Sequence, residues 1–272
     1  MQDFFEFENL KIAFSEKGSG NAVVFIHGFG EDSNVWNDVA DILQTDFKVI
    51  LIDLPGSGKS VVNIEALQDE RLSTIDYYAD VVHALLLHLK IDTCVMLGHS
   101  MGGYITLSFV EKYPQLLKGY GLVHSTAYAD SDEKKINRQR GIAMMDEYGG
   151  YAFLKTTIPN LFSNNFKQTG SDTIEALIEA GKGFNTVALQ NYYIAMMNRL
   201  DKTAVLKGSN LPVLFIIGTE DVAVPVKDSL EQTHMPACTY IHVLENAGHM
   251  SMMEKPEKIA GFVYVFLNDC FY

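Results

Sequence analysis

The sequence predicts an α/β protein in which helices cover both faces of a mostly parallel sheet. Short runs of apolar, β-branched residues alternate along the chain with longer segments whose apolar residues recur at helical spacing. Runs that are apolar at nearly every position are typical of strands buried on both faces, as in a parallel sheet. Because 47% of the 272 residues are hydrophobic and only 20% are charged, the chain has enough apolar surface for a substantial core.

The first predicted element is an antiparallel hairpin over residues 4–16, since two alternating runs are separated near Asn9. Buried strands are predicted at residues 23–27, 47–53, 93–98, 119–124, 213–218 and 239–244. Helices are predicted at residues 33–43, 73–89, 101–112 and 256–267. The helix that begins at Met101 ends before Tyr113, because a residue that precedes a proline is pushed out of helical geometry.

The alternation of strands and helices breaks between His124 and about Lys207. Helical patterns occur there without a buried strand, at residues 132–148, 151–158, 172–180 and 186–200. We therefore predict a core domain formed by residues 1–124 and 208–272, and a helical cap formed by residues 125–207.

The segment Gly98–Gly102 (GHSMG) lies between a predicted strand and a predicted helix. This is the context of the G-x-S-x-G turn, which exposes a serine hydroxyl at the start of the helix. The turn crowds the backbone, and Gly98 and Gly102 remove side chains that would clash. The pattern predicts Ser100 as a nucleophile.

A serine hydroxyl needs a neighbouring base, and the base needs an acid to orient it. His249 follows the last predicted strand in the sequence NAGHM, and Asp221 follows the strand before it in GTEDVAVP. The order Ser, Asp, His is that of α/β-hydrolases, so we predict His249 as the general base and Asp221 as its partner. Glu220 and Asp228 are alternative acids. Apart from His124, which is a candidate for lining the pocket, the remaining histidines are not expected to take part in the reaction.

Attack on an acyl carbon places negative charge on the carbonyl oxygen, so N–H donors must point at it. One donor is expected to be the backbone N–H of Met101, directly after the nucleophile. The other is expected in the segment His27-Gly28-Phe29-Gly30 after the first buried strand, and we assign it to Phe29.

Five segments in order, HGFG, DLPGSGKS, GHSMGG, GTEDVAVP and NAGH, resemble the motif set of the α/β-hydrolase superfamily. This resemblance covers the chain except for residues 125–207. It implies an eight-stranded, mostly parallel sheet flanked by helices, with a cap inserted after the sixth strand. Serine at position 100 argues against the dehalogenases and epoxide hydrolases of the superfamily, which use a carboxylate nucleophile.

The resulting hypothesis is a serine hydrolase that cleaves a small or medium carboxylic ester, lactone or thioester through an acyl-enzyme, without metal or cofactor. The resemblance leaves three alternatives open: a carbon–carbon bond hydrolase of ring-cleavage products, a cofactor-free perhydrolase, and a ligand receptor or regulator. The last is suggested by the segment GFG with Val35-Trp36. The segment GSGKS is not a phosphate-binding loop, because Asp53 stands where that loop needs a glycine.

Several apolar side chains of the predicted cap are candidates for the roof of a substrate pocket, since methionine and aromatic residues suit adaptable apolar cavities. The candidate pocket residues are Met144, Phe162, Tyr192 and Met196, together with His124 at a strand end. The predicted cap also holds three of the four arginines, Arg138, Arg140 and Arg199. An arginine that faced inward would bind a substrate carboxylate, but surface solvation is the expected role of each.

The net charge of −13 argues against a nucleic acid or an anionic membrane as partner, because both need a basic surface. No stretch of about 18 apolar residues predicts a membrane span, and the N-terminal segment lacks a signal-peptide pattern. Three scattered cysteines fit a reducing compartment. We expect a cytoplasmic monomer or homodimer that acts on a small acyl substrate.

Overall fold

The computed structural model describes residues 2–60, 62–63 and 65–272, and its centre is an eight-stranded sheet. The strands are β1 (Gln2–Phe7), β2 (Leu10–Lys17), β3 (Ala22–Ile26), β4 (Lys48–Ile52), β5 (Cys94–His99), β6 (Leu117–Val123), β7 (Val213–Gly218) and β8 (Thr239–Leu244). Their order across the sheet is β1-β2-β4-β3-β5-β6-β7-β8. The pairs β1–β2 and β2–β4 are antiparallel, and all other neighbours are parallel.

Helices follow most strands and pack on the sheet. They are α1 (Asn37–Leu43), α2 (Ile75–His88), α3 (Met101–Lys112), α4 (Asp132–Tyr148), α5 (Gly150–Thr157), α6 (Phe166–Thr169), α7 (Ser171–Ala180), α8 (Thr186–Asn198), α9 (Thr203–Gly208), α10 (Val226–Leu230), α11 (Ser251–Glu254) and α12 (Pro256–Phe271). Short 3₁₀ helices lie at Ser33–Trp36, Ala66–Gln68, Glu70–Ser73, Pro114–Leu116, Ile158–Leu161 and Gly181–Gly183.

The inner strands are buried on both faces, as their uniformly apolar sequences predict. Every residue of β3, β5 and β7 is buried. At the edge of the sheet, β8 has one exposed face, which carries Ile241 and Val243. Its other face packs on α12, where the ring of His242 stacks on Phe262 at 3.8 Å.

The predicted fold class is confirmed, since the structure has the expected eight-stranded, mostly parallel sheet flanked by helices. The N-terminal hairpin is also confirmed, with β1 and β2 antiparallel. The predicted helix over residues 33–43 differs at its start, which is a 3₁₀ turn. There the Asp32 side chain accepts a hydrogen bond from the N–H of Asn34 and caps that tighter turn.

Between β6 and β7 the chain forms only helices, and we call residues 125–207 the cap segment. One anchor of the cap segment to the core is Tyr192, whose hydroxyl donates to the backbone oxygen of Pro55 at 2.7 Å and lies 2.9 Å from Ser57 Oγ. A second is the apolar contact of Leu154 with Gly30, where an added Cβ would lie 2.5 Å from Leu154 Cδ2. These contacts hold the cap segment against loops that follow strands β3 and β4. The division into core and cap domains stays a prediction.

Candidate active site

Ser100 lies in the turn between β5 and α3 and has a strained backbone, with φ of +51°. A positive φ is costly for a residue with a side chain, and such strain is concentrated at functional sites. The turn is held by the N–H of Ser100, which donates to the backbone oxygen of Val123 at 3.0 Å. On the other side, Ser125 Oγ donates to the backbone oxygen of Ser100 at 2.7 Å. The next β-strand therefore fixes the position of Ser100.

His249 and Asp221 form a buried hydrogen-bonded pair. His249 Nδ1 lies 2.9 and 3.0 Å from the two carboxylate oxygens of Asp221. Asp221 Oδ1 also accepts the N–H groups of Ala223 and Val224 at 2.8 and 2.9 Å. Burial acts to raise the pKa of Asp221, but the charge of His249 and the hydrogen bonds of both neighbouring histidines outweigh it and hold that pKa well below its usual range. Asp221 is thus a carboxylate, and it fixes His249 with Nδ1 as donor and Nε2 free.

The alternative acids lie elsewhere. Glu220 accepts the N–H of Asn164 at 2.8 Å, so its carboxylate is directed toward the cap segment. Asp228 lies on α10, where its backbone oxygen accepts a hydrogen bond from Gln232. Of the three candidates, the structure brings only Asp221 to His249 within the residues that it describes.

A second histidine, His124, shares the Asp221 carboxylate. Its Nδ1 lies 3.0 Å from Asp221 Oδ2, and its Nε2 lies 2.6 Å from Ser251 Oγ. The residue is 1% exposed and has φ of +49°, so its backbone is strained as well. The sequence analysis expected His124 to line the pocket, whereas the structure places it behind Asp221. The reason is that the side chain turns away from the cavity at the end of β6 to bind the carboxylate.

The residue types of His124, Asp221 and His249 could also hold a metal ion, because their ligand atoms all lie within 4.8 Å of one another. The two Nδ1 atoms are, however, 2.9 to 3.0 Å from the carboxylate oxygens, which is the usual length of an N–H···O hydrogen bond. A metal ligand must present a lone pair, and these nitrogens already use a proton toward Asp221. The distances therefore favour a hydrogen-bonded network of His124, Asp221 and His249 over a metal site.

Beside the nucleophile lies another buried pair, formed by Glu31 and His99. His99 Nδ1 is 2.9 Å from Glu31 Oε2, and His99 Nε2 is 2.9 Å from the backbone oxygen of His249. Burial acts to raise the pKa of Glu31, but the charge and hydrogen bond of His99 and the N–H of Gly28 outweigh it and lower that pKa. His99 thus bridges the Glu31 carboxylate and the backbone oxygen of His249, and in this way the pair holds the backbone of His249.

The backbone N–H groups of Phe29 and Met101, the two predicted donors to the carbonyl oxygen, are not used in hydrogen bonds between the described residues. Among residues 2–60, 62–63 and 65–272, neither N–H has a hydrogen-bond acceptor. Met101 is the first residue of α3, where N–H groups have no partner within the helix. The ring of Phe29 packs on Tyr193 of the cap segment, with 4.4 Å between ring centroids. The cap segment therefore braces the loop that carries the first of these donors.

Ser100 and His249 share a cavity of about 110 Å³ between the strand ends and the cap segment. Its other lining residues are Phe29, Glu31, Tyr104, Arg138, Leu161, Tyr193, Met196, Ala223 and Val224. The predicted nucleophile and the predicted base thus line one cavity. Five of its eleven lining residues are apolar and the other six carry a polar or charged group, so the cavity offers contacts to both parts of a small polar molecule.

Of the four cap residues proposed for the pocket, Met196 lines this cavity. Tyr192 does not, because its hydroxyl is bound to the Pro55 backbone. Phe162 is buried against Phe166, with ring centroids 5.4 Å apart, and Met144 is a half-buried residue packed on the core. These three side chains support the cap segment.

Sequence reasoning missed several lining residues, and two of them carried a signal. Tyr104 is four residues after Ser100 on α3, so it lies on the same helix face as the turn.

Arg138, which also lines the cavity, was expected to be solvated. This expectation is wrong, since Arg138 forms a buried ion pair with Asp130 at 2.6 Å. The expectation of surface solvation is also wrong for Arg199, whose Nη1 lies 2.7 Å from Asp130 Oδ1. It holds for Arg140, which is exposed.

Comparisons with known proteins agree with this fold. A family model described as the alpha/beta hydrolase fold matches residues 21–140. A malate-bound structure of a thermophilic esterase from Thermogutta terrifontis is 26% identical and covers 100% of both chains with a TM-score of 0.91. The karrikin insensitive 2 receptor CA of Petunia hybrida is 27% identical over 277 residues, 93% of each protein. An uncharacterized protein of Mycobacterium tuberculosis is 26% identical and covers 94% of this chain and 78% of that protein.

The structure of the chain has the α/β-hydrolase fold. Among the helices that the structure describes, none combines the length and apolar character needed to cross a membrane.

Proposed function

We propose that the protein is a serine hydrolase that cleaves a small or medium carboxylic ester, lactone or thioester through an acyl-enzyme on Ser100. One observation carries the proposal: Ser100, held in a strained turn, shares a cavity with His249, whose Nδ1 is bound to the ionised Asp221. The similarity to an esterase over the whole chain supports the same reaction class.

The proposed reaction uses groups of this chain alone. His249 Nε2 takes the proton of Ser100 Oγ as that oxygen attacks the acyl carbon, and later gives it to the leaving alcohol or thiol. The N–H groups of Phe29 and Met101 stabilise the negative charge on the carbonyl oxygen. Water then attacks the acyl-enzyme with His249 as base, which releases the acid and restores Ser100.

The size of the cavity supports a small substrate. About 110 Å³ is well below the roughly 300–1,000 Å³ of pockets that enclose drug-sized ligands. A compact acyl group fits this space, whereas a long chain would require the cap segment to move.

The experiment is labelling with a fluorophosphonate probe, which forms a covalent bond with an activated serine. We expect the wild-type protein and the Ser171→Ala control to be labelled, because Ser171 is an exposed residue at the start of α7. We expect Ser100→Ala to remain folded and unlabelled. Failure of folded wild-type protein to react, or equal labelling of Ser100→Ala, would contradict the proposal.

A ligand receptor is the second candidate, and the similarity to a Petunia karrikin receptor over 93% of this chain favours it. Turnover separates the two functions. A hydrolase should convert p-nitrophenyl esters of short acids through many cycles, with the rate lost in His249→Ala. A receptor should show negligible turnover but a ligand-dependent shift in melting temperature.

We also infer that the protein works in the cytoplasm as a monomer or homodimer. The net charge of −13 and the three free cysteines, Cys94, Cys238 and Cys270, support a soluble protein of a reducing compartment. Light scattering coupled to size-exclusion chromatography gives the oligomeric state, and a tetramer or larger assembly would contradict the inference.

A further inference from the structure

A cluster of three charged residues joins the cap segment to the wall of the cavity. Asp130 precedes α4, and its side chain is fully buried. Arg138 Nε lies 2.6 Å from Asp130 Oδ2, and Arg199 Nη1 lies 2.7 Å from Asp130 Oδ1. Burial acts to raise the pKa of Asp130, but the charges and hydrogen bonds of both arginines outweigh it and lower that pKa. Two guanidinium groups thus share one carboxylate, and the cluster carries one net positive charge.

Both terminal nitrogens of Arg199 are bound by acceptors of the chain, while its buried Nε has no hydrogen-bond partner among the described residues. Its Nη1 donates to the backbone oxygen of Met196 at 2.7 Å, and its Nη2 donates to that of Tyr128 at 3.0 Å. The guanidinium also lies over the ring of Tyr104, 3.8 Å from the centroid. Arg199 is therefore a structural link between α8, the start of the cap segment and α3.

Arg138 differs, because only its Nε is used. Its guanidinium lies 5.0 Å from the centroid of the Tyr193 ring, and the side chain is 18% exposed. Within the described part of the chain, its two Nη groups have no hydrogen-bond acceptor, and Arg138 lines the same cavity as Ser100. Two parallel N–H donors are what a guanidinium needs to bind a carboxylate.

The acidic groups near the cavity have partners other than Arg138. Glu31 lines the cavity, but its carboxylate accepts the N–H of Gly28 and lies 2.9 Å from His99 Nδ1. Asp221 is not among the lining residues, and its carboxylate is bound by His249 and His124. Arg138 therefore places a positive charge on the wall of the cavity, in a chain whose net charge is −13. Such a local positive charge attracts an anion to a defined point in the site.

From this geometry we propose that Arg138 binds a carboxylate of the substrate, so that the preferred substrate is an ester, lactone or thioester bearing a second, free acid group. This inference rests on the proposed hydrolase function, because it concerns the same cavity. Arg138 is then the residue that determines specificity for anionic substrates.

The experiment compares two esters of the same length, monomethyl glutarate and methyl 5-oxohexanoate, in which a neutral methyl ketone replaces the free carboxylate. We expect the wild-type protein to favour the acid in kcat/KM. In Arg138→Met the ratio of the two kcat/KM values should fall about 10- to 100-fold, as expected for a lost charge-assisted hydrogen bond. Arg138→Lys should retain part of the ratio, because it keeps the charge without the fork.

The matched control is Arg140→Met, which removes the same charge from the same helix. Arg140 is exposed, and its Nη1 contacts only Asn137 at 3.3 Å, so the ratio should keep its wild-type value. An equal fall in Arg138→Met and Arg140→Met would reveal a long-range charge effect and overturn the assignment. A wild-type protein that favours the neutral ester would overturn it as well.

Binding of glutarate to Ser100→Ala separates this inference from the proposed function. Tighter binding in Ser100→Ala than in Ser100→Ala with Arg138→Met, measured by calorimetry, supports the anion site even if no ester is hydrolysed. In that case the hydrolase proposal fails, and the proposal that Arg138 binds a carboxylate is retained. If both esters are hydrolysed at rates that do not depend on Arg138, the hydrolase proposal is retained and the proposed role of Arg138 fails.

Discussion

The contact between β5 and α3 allows a sharp test of how the nucleophile is positioned, through the substitution Gly98→Ala. An added Cβ at Gly98 would lie 2.1 Å from the backbone oxygen of Gly102 and 2.4 Å from the backbone nitrogen of Gly103. Real Cβ contacts begin near 3.0 Å, and the obstructing atoms belong to the helix backbone. The start of α3 must therefore move, and with it Ser100 and the N–H of Met101.

The required movement is roughly 1 Å, and a misplacement of that size can lower a catalytic rate about 100-fold. Overpacking of this kind also costs about 1–3 kcal/mol of unfolding free energy. In a chain of this length each kcal/mol lowers the melting temperature by about 2–4 °C. Hydrolysis of p-nitrophenyl acetate and fluorophosphonate labelling measure the first effect, and thermal unfolding followed by circular dichroism measures the second.

The matched control is Gly261→Ala, the same chemical change in the exposed part of α12. An added Cβ there meets no atom within 4 Å, so the variant should gain about 0.5–1 kcal/mol through its higher helix propensity and keep its rate. Wild-type labelling and an unchanged melting temperature for Gly98→Ala would refute the argument that close packing at Gly98 places Ser100.

Two further predictions concern buried carboxylates. Asp221→Asn should lower kcat about 10⁴-fold, because an amide no longer fixes His249 with Nδ1 as donor. The control Glu220→Gln should leave kcat nearly unchanged. Steady-state kinetics at neutral pH measure kcat for both variants. Asp130→Asn should cost about 3 kcal/mol at pH 7, because it leaves two guanidinium groups without their carboxylate. Because the pKa of Asp130 is lowered in the folded protein, its ionised carboxylate stabilises the fold above about pH 4, and this stabilisation is lost as the pH falls further. Urea unfolding should therefore give free energies of unfolding for the wild-type protein and Asp130→Asn that become equal in acid.

The sheet could be predicted because burial on both faces leaves a pattern that needs no tertiary information. The last two strands, Val213–Gly218 and Thr239–Leu244, were predicted with the bounds that the structure has. The short helices Ala66–Gln68 and Glu70–Ser73 were not predicted, because three or four residues are too few for a recurring apolar pattern. Their positions depend on contacts with the cap segment, such as the one between Ser73 and Asn191.

The cavity lining could be predicted only in part, because it depends on how the cap segment is rotated over the sheet. Tyr192 and Tyr193 are neighbours on α8, and both fit a face shared with Met196. The hydrogen bond from Tyr192 to Pro55 decides between them, since it directs Tyr192 to the core and leaves Tyr193 at the cavity. That bond joins residues 137 positions apart, so no local pattern contains it.

The cap segment and the proposed base are joined by backbone contacts, which links access to the cavity with the assembly of the site. The N–H of His249 donates to the backbone oxygen of Leu161 in the cap segment at 2.7 Å. Glu254 Oε1 accepts both the N–H of Ser163 in the cap segment and the N–H of Gly248, at 3.1 and 3.0 Å. A movement of residues 161–163 that opened the cavity would therefore also pull on His249. His249 is thus held from two sides, by Leu161 of the cap segment and by Asp221 and His99 of the core, so the position of the cap segment and that of the proposed base are coupled.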